Sequence, residues 1–247
     1  MRTFKVTLSY DGTNYSGWQF QPGQPTLQDT FERTLAKITG QAIRIAASGR
    51  TDAGVHAAGQ VVSFRSDTHH EPTVLLRALN AELPHDMAVS SVELVADDFH
   101  ATHSARAKLY RYTILDGPAR DVFAGRYAWH YRSRLDAEAM HRAAQALVGR
   151  HDFASFETSG SPRETSVRTI FALTVERRPA GIDRIEFEVS GDGFLYNMVR
   201  AIVGTLVDVG RGVRDEAWPG QVLRACDRGQ AGQTAPAQGL CLVRVDY

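Results

Sequence analysis

The chain is organised around the stretch SGRTDAGVH, which covers residues Ser48–His56. This stretch holds an arginine, an aspartate and a histidine, and its two glycines let the backbone bend sharply or approach a ligand closely. Apolar, β-prone runs at Ile43–Ala47 and Gln60–Phe64 flank it. Because folds often place reactive groups on charged loops between strands, the stretch is a candidate site. The alternative is a polar turn in which Asp52 caps a backbone amide.

Outward from this loop, the first half of the chain predicts the element order βαββαβ. Strands are indicated by alternating apolar residues, and helices by apolar residues at helical spacing between capping or proline signals. The strands are predicted at Phe4–Tyr10, Ile43–Ala47, Gln60–Phe64 and Ala88–Val95, and the helices at Leu27–Ile38 and between Pro72 and Pro84. Thr26 and Gly40 are the expected caps of the first helix. This element order is ferredoxin-like.

The second half of the chain predicts the same order again, without a repeat of sequence. Strands are expected at Leu109–Leu115, Val167–Glu176, Ile185–Val189 and Leu240–Val245. The second and third of these strands would be joined by a turn at Pro179-Ala180-Gly181. Helices are expected at Leu135–Val148, Phe194–Val209 and Gln221–Cys226. We therefore predict an α+β chain of two ferredoxin-like βαββαβ halves whose antiparallel sheets flank a central cleft. Residues 1–105 would form the N-terminal domain with the Asp52 loop, and residues 106–247 the C-terminal domain.

Composition limits the classes of protein that fit. The chain has 247 residues, which is long enough for one large domain or two modest ones. Hydrophobic residues make up 43% of it, which is enough for a sizeable core. No apolar run reaches the length that crosses a bilayer, and no signal-peptide pattern opens the chain. Cys226 and Cys241 form neither a CxxC pair nor a metal quartet, which predicts reduced thiols in a cytoplasmic protein without a metal.

Charge is distributed unevenly along the chain. The formal net charge is zero, yet the segment Arg106–Arg150 holds nine Lys/Arg against four Asp/Glu. A local basic surface of this kind suffices to hold a phosphate backbone. The alternative is a solvated arginine-rich face.

Three residues of the Ser48–His56 stretch are candidates for chemistry or ligand binding. Asp52 is the only carboxylate of its loop and could act as nucleophile or base. Arg50 lies two residues earlier and could contact a phosphate or fill the space of an extruded base, although a structural ion pair is the alternative. His56 lacks further metal ligands at workable spacing, so a structural histidine is favoured.

Tyr110 and Arg200 are candidates on other predicted elements. Tyr110 shares one strand face with Tyr112 and could stack on a base, with core packing as the alternative. Arg200 lies off the apolar stripe of the helix predicted at Phe194–Val209, one turn before Gly204. A buried arginine needs a carboxylate partner, for which Asp52 is the natural candidate.

Several blocks in order resemble the tRNA pseudouridine synthase A family. They are YDGTNYSGWQ, SGRTDAGVHA, FHATHSARAKLYRY, GFLYNMVRAIVG and AGQTAPAQGLCLVRVDY. The resemblance implies that Asp52 is the essential catalytic aspartate, that Tyr110 stacks on the target uracil, and that Arg200 pairs with the aspartate. It also implies that Arg50 helps to displace the flipped nucleotide and that Leu240 packs against the target base. Ala201 and Ala237 depart from the family pattern at positions outside this chemistry.

The same resemblance implies the reaction and its partners. The family isomerises uridine to pseudouridine at positions 38, 39 and 40 of the tRNA anticodon stem-loop, by base flipping and without a cofactor. Its members are homodimers that bind tRNA. Two rival interpretations remain: an RNA-binding protein with two RRM-like halves, although no convincing RNP1 pattern is present, and a base-releasing hydrolase built on Asp52.

Overall fold

The computed structural model describes residues 1–158, 165–178 and 183–247. Within these ranges the α-helices are α1 (Leu27–Thr39), α2 (Pro72–Glu82), α3 (Ala137–Ala144), α4 (Met198–Gly210) and α5 (Trp218–Ala225). The strands are β1 (Arg2–Tyr10), β2 (Ala46–Ala47), β3 (His56–Ser66), β4 (Met87–Val95), β5 (Ala107–Asp116), β6 (Trp129–Tyr131), β7 (Gly149–Asp152), β8 (Val167–Arg178), β9 (Arg184–Gly191) and β10 (Leu240–Asp246). The predicted turn at Pro179-Ala180-Gly181 lies outside the described residues.

The chain divides into two compact units. The first contains Met1–Arg106 and Cys241–Tyr247, and the second contains Ala107–Leu240. The pairs β1–β3, β1–β4, β2–β3, β5–β9, β7–β8 and β8–β9 are antiparallel, and β3–β10 and β5–β6 are parallel. The expected mixture of helices with mostly antiparallel sheet is therefore confirmed. The last seven residues, which the sequence reading assigned to the C-terminal half, belong to the first unit because β10 pairs with β3.

The first unit has the predicted order βαββαβ and an antiparallel sheet in the order β4-β1-β3-β2. β1 occupies one edge of β3 along nearly its whole length, so β2 and β10 share the other edge. β2 pairs near Val62 and β10 near His56. The strand predicted at Ile43–Ala47 is reduced to Ala46–Ala47, and the N–H of Ile45 donates to the Glu32 side chain of α1 at 3.1 Å instead of to a strand. The alternation of β1 buries Phe4, Val6 and Leu8 completely.

Both helices of the first unit begin and end as predicted. The hydroxyl of Thr26 accepts a hydrogen bond from the Asp29 N–H at the start of α1, and Gly40 ends the helix with φ of 70°. That left-handed conformation favours glycine because it has no Cβ. Pro72 begins α2, whose Leu75 and Leu79 are completely buried.

The second unit holds the sheet β5-β9-β8-β7, with β6 added parallel to β5. β6 and β7 were not predicted from the sequence. These strands have only three and four residues, and their pairing depends on partners distant in the chain rather than on a local alternating pattern. The second unit therefore departs from a simple βαββαβ order.

Helix α4 begins at Met198, four residues later than predicted. Asn197 adopts a left-handed conformation with φ of 62°, which interrupts the helix, and the Met198 N–H donates to the Leu195 carbonyl at 3.1 Å. The apolar run from Phe194 is therefore a turn followed by a helix. This arrangement places Arg200 in the first turn of α4, where its side chain can reach the chain that precedes the helix.

Candidate active site

Asp52 is the first residue of a tight turn between β2 and β3. The Val55 N–H donates to the Asp52 carbonyl at 3.1 Å, and Gly54 closes the turn with φ of 77°. The Asp52 side chain is half-buried, while Thr51 and Val55 on either side are buried. The loop thus fixes the backbone of Asp52 and leaves its carboxylate partly accessible.

Buried polar side chains fix the position of the loop through hydrogen bonds. The Tyr10 hydroxyl shares a hydrogen bond of 2.7 Å with the Thr51 hydroxyl. Gln60 Nε2 donates to the Gly49 carbonyl at 2.9 Å, and Gln60 Oε1 accepts from the Ser48 hydroxyl at 2.6 Å. All of these side chains are buried, and satisfied buried networks of this kind restrict a loop to one arrangement.

Burial raises the pKa of Tyr10 well above its ordinary range, although hydrogen bonds from Thr51 and Gln60 oppose that shift. The hydroxyl is therefore neutral at any physiological pH and remains a hydrogen-bonding group. Its contact with Thr51 does not depend on pH in this range, so the loop is held by uncharged groups.

The chain that follows β1 packs against the same loop. The Trp18 N–H donates to the Thr51 carbonyl at 2.9 Å. A Cβ atom on Gly12 would lie 2.0 Å from the Val55 carbonyl oxygen, so only glycine fits there. The Gly12 N–H donates to His56 Nδ1 at 3.1 Å, and this bond supports the interpretation of His56 as a structural residue.

Arg50 lies on the same loop but faces solvent. Its side chain makes no hydrogen bond or ion pair with residues in the described ranges, so these give no support to the structural ion pair considered above. An exposed guanidinium beside the Asp52 turn is available to an anionic ligand such as a phosphate.

In the second unit, Tyr110 lies on β5 opposite Val189 of β9. The residue is 7% exposed, and its ring contacts Phe194 edge-on with centroids 5.2 Å apart. Tyr110 is thus largely buried, and the contact with Phe194 fixes the orientation of its ring. Tyr112 follows two residues later and therefore lies on the same face of the strand.

Arg200 connects the start of α4 with the segment Ala235–Leu240. Its Nε donates to the Ala235 carbonyl at 2.7 Å, and its Nη1 donates to Asn197 Oδ1 at 2.8 Å. The carboxylate expected to pair with it, Asp52, belongs to the other unit, so that pairing stays a prediction. Within its own unit Arg200 links the Ala235 backbone to the Asn197 side chain at the start of α4.

Leu240 ends the segment that Arg200 holds, and Tyr112 holds the same segment. The Tyr112 hydroxyl donates to the Pro236 carbonyl at 2.8 Å, and burial raises the pKa of that hydroxyl although the charge of Arg200 opposes the rise. A Cβ on Gly239 would lie 2.5 Å from the Tyr112 ring, so glycine is needed for this approach. The structure thus joins Arg200, Tyr112 and Leu240 through one segment of backbone.

The sequence reading did not assign a site role to Tyr112, Gly12 or Gln60. Each acts on a segment far away in the chain, and none lies in a pattern that a local rule detects. Two of their signals were nevertheless present, because Tyr112 and Gly12 lie inside the blocks KLYRY and YDGTNYSGWQ.

The residues that the structure describes contain no group of three or more His, Cys, Asp or Glu side chains arranged to hold a metal ion. None of the helices within those residues is both long enough and apolar enough to cross a membrane.

Comparison with known proteins assigns the family. A family model described as tRNA pseudouridine synthase matches residues 7–104 and 143–247. Proteins called tRNA pseudouridine synthase A from Moorella thermoacetica and Brevibacillus brevis are 48% and 46% identical to this chain over 250 and 247 residues, and the matches cover 100% of both partners. The crystal structure of a Cbf5-Nop10-Gar1 complex matches 96% of this chain and 57% of that chain, with 12% identity and a TM-score of 0.38, a likeness that does not by itself establish a shared fold.

The family model and the sequence matches thus define an RNA-modifying enzyme of the isomerase class. The chain belongs to the tRNA pseudouridine synthase family.

Proposed function

We propose that the protein isomerises uridine to pseudouridine at positions 38, 39 and 40 of the tRNA anticodon stem-loop, with Asp52 as its essential catalytic residue. The observation that carries this proposal is the position of Asp52. Its carboxylate is half-buried on a loop that buried hydrogen bonds and close glycine contacts hold in one place, in a chain of this family. A group held within a small tolerance is what catalysis by positioning requires.

The reaction rearranges bonds without oxidation or hydrolysis. The bond between N1 of the uracil and C1′ of the ribose breaks, the base turns, and C5 of the uracil bonds to C1′. The proton leaves C5 and N1 gains a proton, so product and substrate have the same composition. A carboxylate can act in such a sequence as a nucleophile or as a proton acceptor, and both roles need the ionised form of Asp52.

The other site residues have roles in binding the flipped nucleotide. The Tyr110 ring, oriented by Phe194, would stack on the target uracil, and Leu240 would pack against it. Arg200 would meet the catalytic carboxylate while its Nε holds the segment that ends at Leu240. Arg50, exposed beside Asp52, would help to displace the extruded base.

The wider assignments follow the same proposal. The strand order β4-β1-β3-β2 of the first unit supports a ferredoxin-like N-terminal half. We extend this to two ferredoxin-like domains over residues 1–105 and 106–247, in which β6 and β7 are additions to the second domain and the last strand, β10, is grouped with the first. A homodimer that binds tRNA in the cytoplasm, without a small-molecule cofactor, completes the proposal. The basic segment Arg106–Arg150 would contribute contacts to the tRNA backbone.

Incubation with an unmodified tRNA transcript tests the proposal. Mapping of the product should find pseudouridine at one or more of positions 38, 39 and 40, and no free uracil. Release of free uracil would identify a base-releasing hydrolase, because an isomerase keeps base and ribose joined. Binding of the transcript without any modification would identify an RNA-binding module.

A further inference from the structure

The second unit has a surface loop between β5 and β6 whose ends lie close together. Its two ends are joined by hydrogen bonds from the Gly117 N–H to the Tyr131 carbonyl and between His130 Nε2 and the Gly117 carbonyl, both 2.8 Å long. The Trp129 ring contacts the rings of Tyr112 and Tyr131 edge-on, which anchors the base of the loop. We call residues 117–128, which connect the two strands, the β5–β6 loop. Compact surface loops with joined ends are frequently functional.

The tip of the β5–β6 loop is built to expose apolar side chains. The Asp121 carboxylate accepts hydrogen bonds from the N–H groups of Phe123 and Ala124, both at 2.8 Å, and the Asp121 carbonyl accepts from the Gly125 N–H at 3.0 Å. Despite this local order, Phe123 is 88% exposed and Val122 is 83% exposed. An ordered turn that directs an aromatic ring into solvent suggests a ligand for that ring.

Basic residues lie before and after Phe123 in the chain. Arg120, three residues before Phe123, and Arg132, directly after β6, are both exposed, and neither makes an ion pair with any residue that the structure describes. The acid of the loop, Asp121, is occupied by the two backbone N–H groups of the tip. Elsewhere in the basic segment, by contrast, Arg142 is neutralised by Glu216.

We propose that the β5–β6 loop is a tRNA contact in which Phe123 stacks on an unpaired base and the flanking arginines meet neighbouring phosphates. The inference rests on the proposed function, since it adds a contact to the same substrate. An aromatic ring between arginines is the combination that binds single-stranded nucleic acid, because every base offers a stacking face and every nucleotide a phosphate.

The charge of the loop favours RNA over a second copy of the chain. A second copy of the chain would have to supply acidic groups for both exposed arginines, and the acid of the loop itself, Asp121, already accepts two hydrogen bonds from the tip. A phosphate backbone neutralises both arginines directly. A polyanion is therefore the occupant that the exposed residues fit.

Replacement of Phe123 tests the inference. The Phe123→Ala protein should bind unmodified tRNA about 5- to 100-fold more weakly than wild type, with raised KM and unchanged kcat, because stacking contributes to binding and not to bond rearrangement. Phe123→Tyr should restore the affinity, and Phe123→Leu should not, because leucine is apolar but cannot stack. Phe171→Ala is the matched control, since Phe171 is also exposed in this unit.

Sedimentation of each variant is measured beside tRNA binding. Weaker binding with an unchanged sedimentation coefficient supports the inference. Unchanged binding of the Phe123→Ala protein overturns it, and so does a change in oligomeric state, which would assign the loop to a subunit contact. If wild type modifies tRNA while the Phe123→Ala protein binds normally, this inference fails alone; if wild type makes no pseudouridine, the proposed function itself fails.

Discussion

Gly12→Ala is expected to displace the Asp52 loop without touching Asp52. The added Cβ would lie 2.0 Å from the Val55 carbonyl oxygen, and its other near neighbours are also backbone atoms of Val55. Because no flexible side chain can yield there, either the turn at Gly12 or the loop must move. Real Cβ atoms essentially never approach a heavy atom within 3.0 Å, so the movement is about 1 Å or more.

A displacement of this size has a predictable effect on rate. Misplacement of a catalytic group by about 1 Å can lower the rate of the chemical step about 100-fold. Overpacking of this kind costs about 1–3 kcal/mol of folding stability, so the protein should still fold. We therefore expect kcat for pseudouridine formation to fall about 100-fold while tRNA affinity changes little.

Gly40→Ala is the matched control in the same unit. Gly40 has φ of 70° and nothing within 4 Å of an added Cβ, so alanine there costs about 1–2 kcal/mol through backbone strain but displaces nothing. Single-turnover kinetics, with a thermal melt of each variant, compare the two proteins. A Gly12→Ala protein with wild-type kcat, or a Gly40→Ala protein with an equal loss of kcat, would refute the reasoning.

Three further predictions concern the second unit. Tyr110→Phe should keep tRNA affinity and most turnover, whereas Tyr110→Ala should lose most activity because the stacking surface is removed; steady-state kinetics check this, and an inactive Phe variant would contradict it. Arg200→Lys should lower kcat/KM about tenfold or more, because one ammonium cannot replace a guanidinium that also holds the Ala235 carbonyl; wild-type kcat/KM would oppose this. Burial alone would raise the pKa of the Asp116 carboxyl, but hydrogen bonds and charge from Arg177 hold that pKa below its ordinary value. The ion pair therefore stabilises the fold at neutral pH, and this stabilisation is lost as the pH falls below about 3.8. Arg177→Met should therefore cost about 3 kcal/mol in urea unfolding at pH 7 and less near pH 3, and a cost that does not depend on pH would exclude this account.

The first unit was largely predictable because its signals are local. Alternation from Phe4 to Tyr10, the Thr26 and Gly40 caps and the proline at the start of α2 each act within a few residues. These local signals also agree with the way the unit packs. The central loop was recognisable for the same reason, since its charged residues and glycines are adjacent in the chain.

The features that escaped prediction depend on contacts between distant residues. β6 exists because it pairs with β5, and the start of α4 depends on the left-handed conformation of Asn197, which helical spacing cannot reveal. The close approach of Gly12 to Val55 and of Gly239 to Tyr112 likewise depends on the folded chain. A sequence can mark such glycines as unusual, but it cannot say which backbone or ring they approach.

The central claim is that the Asp52 carboxylate carries the chemical step. Asp52→Asn keeps the size of the side chain and removes its charge, and Asp98→Asn, on an exposed aspartate of the same unit, is the control. Pseudouridine formation and tRNA binding are measured for both variants in one single-turnover experiment. The account predicts no detectable pseudouridine with Asp52→Asn, tRNA affinity within about tenfold of wild type, and full activity with Asp98→Asn. Pseudouridine formation by the Asp52→Asn protein at a rate near that of wild type would contradict it.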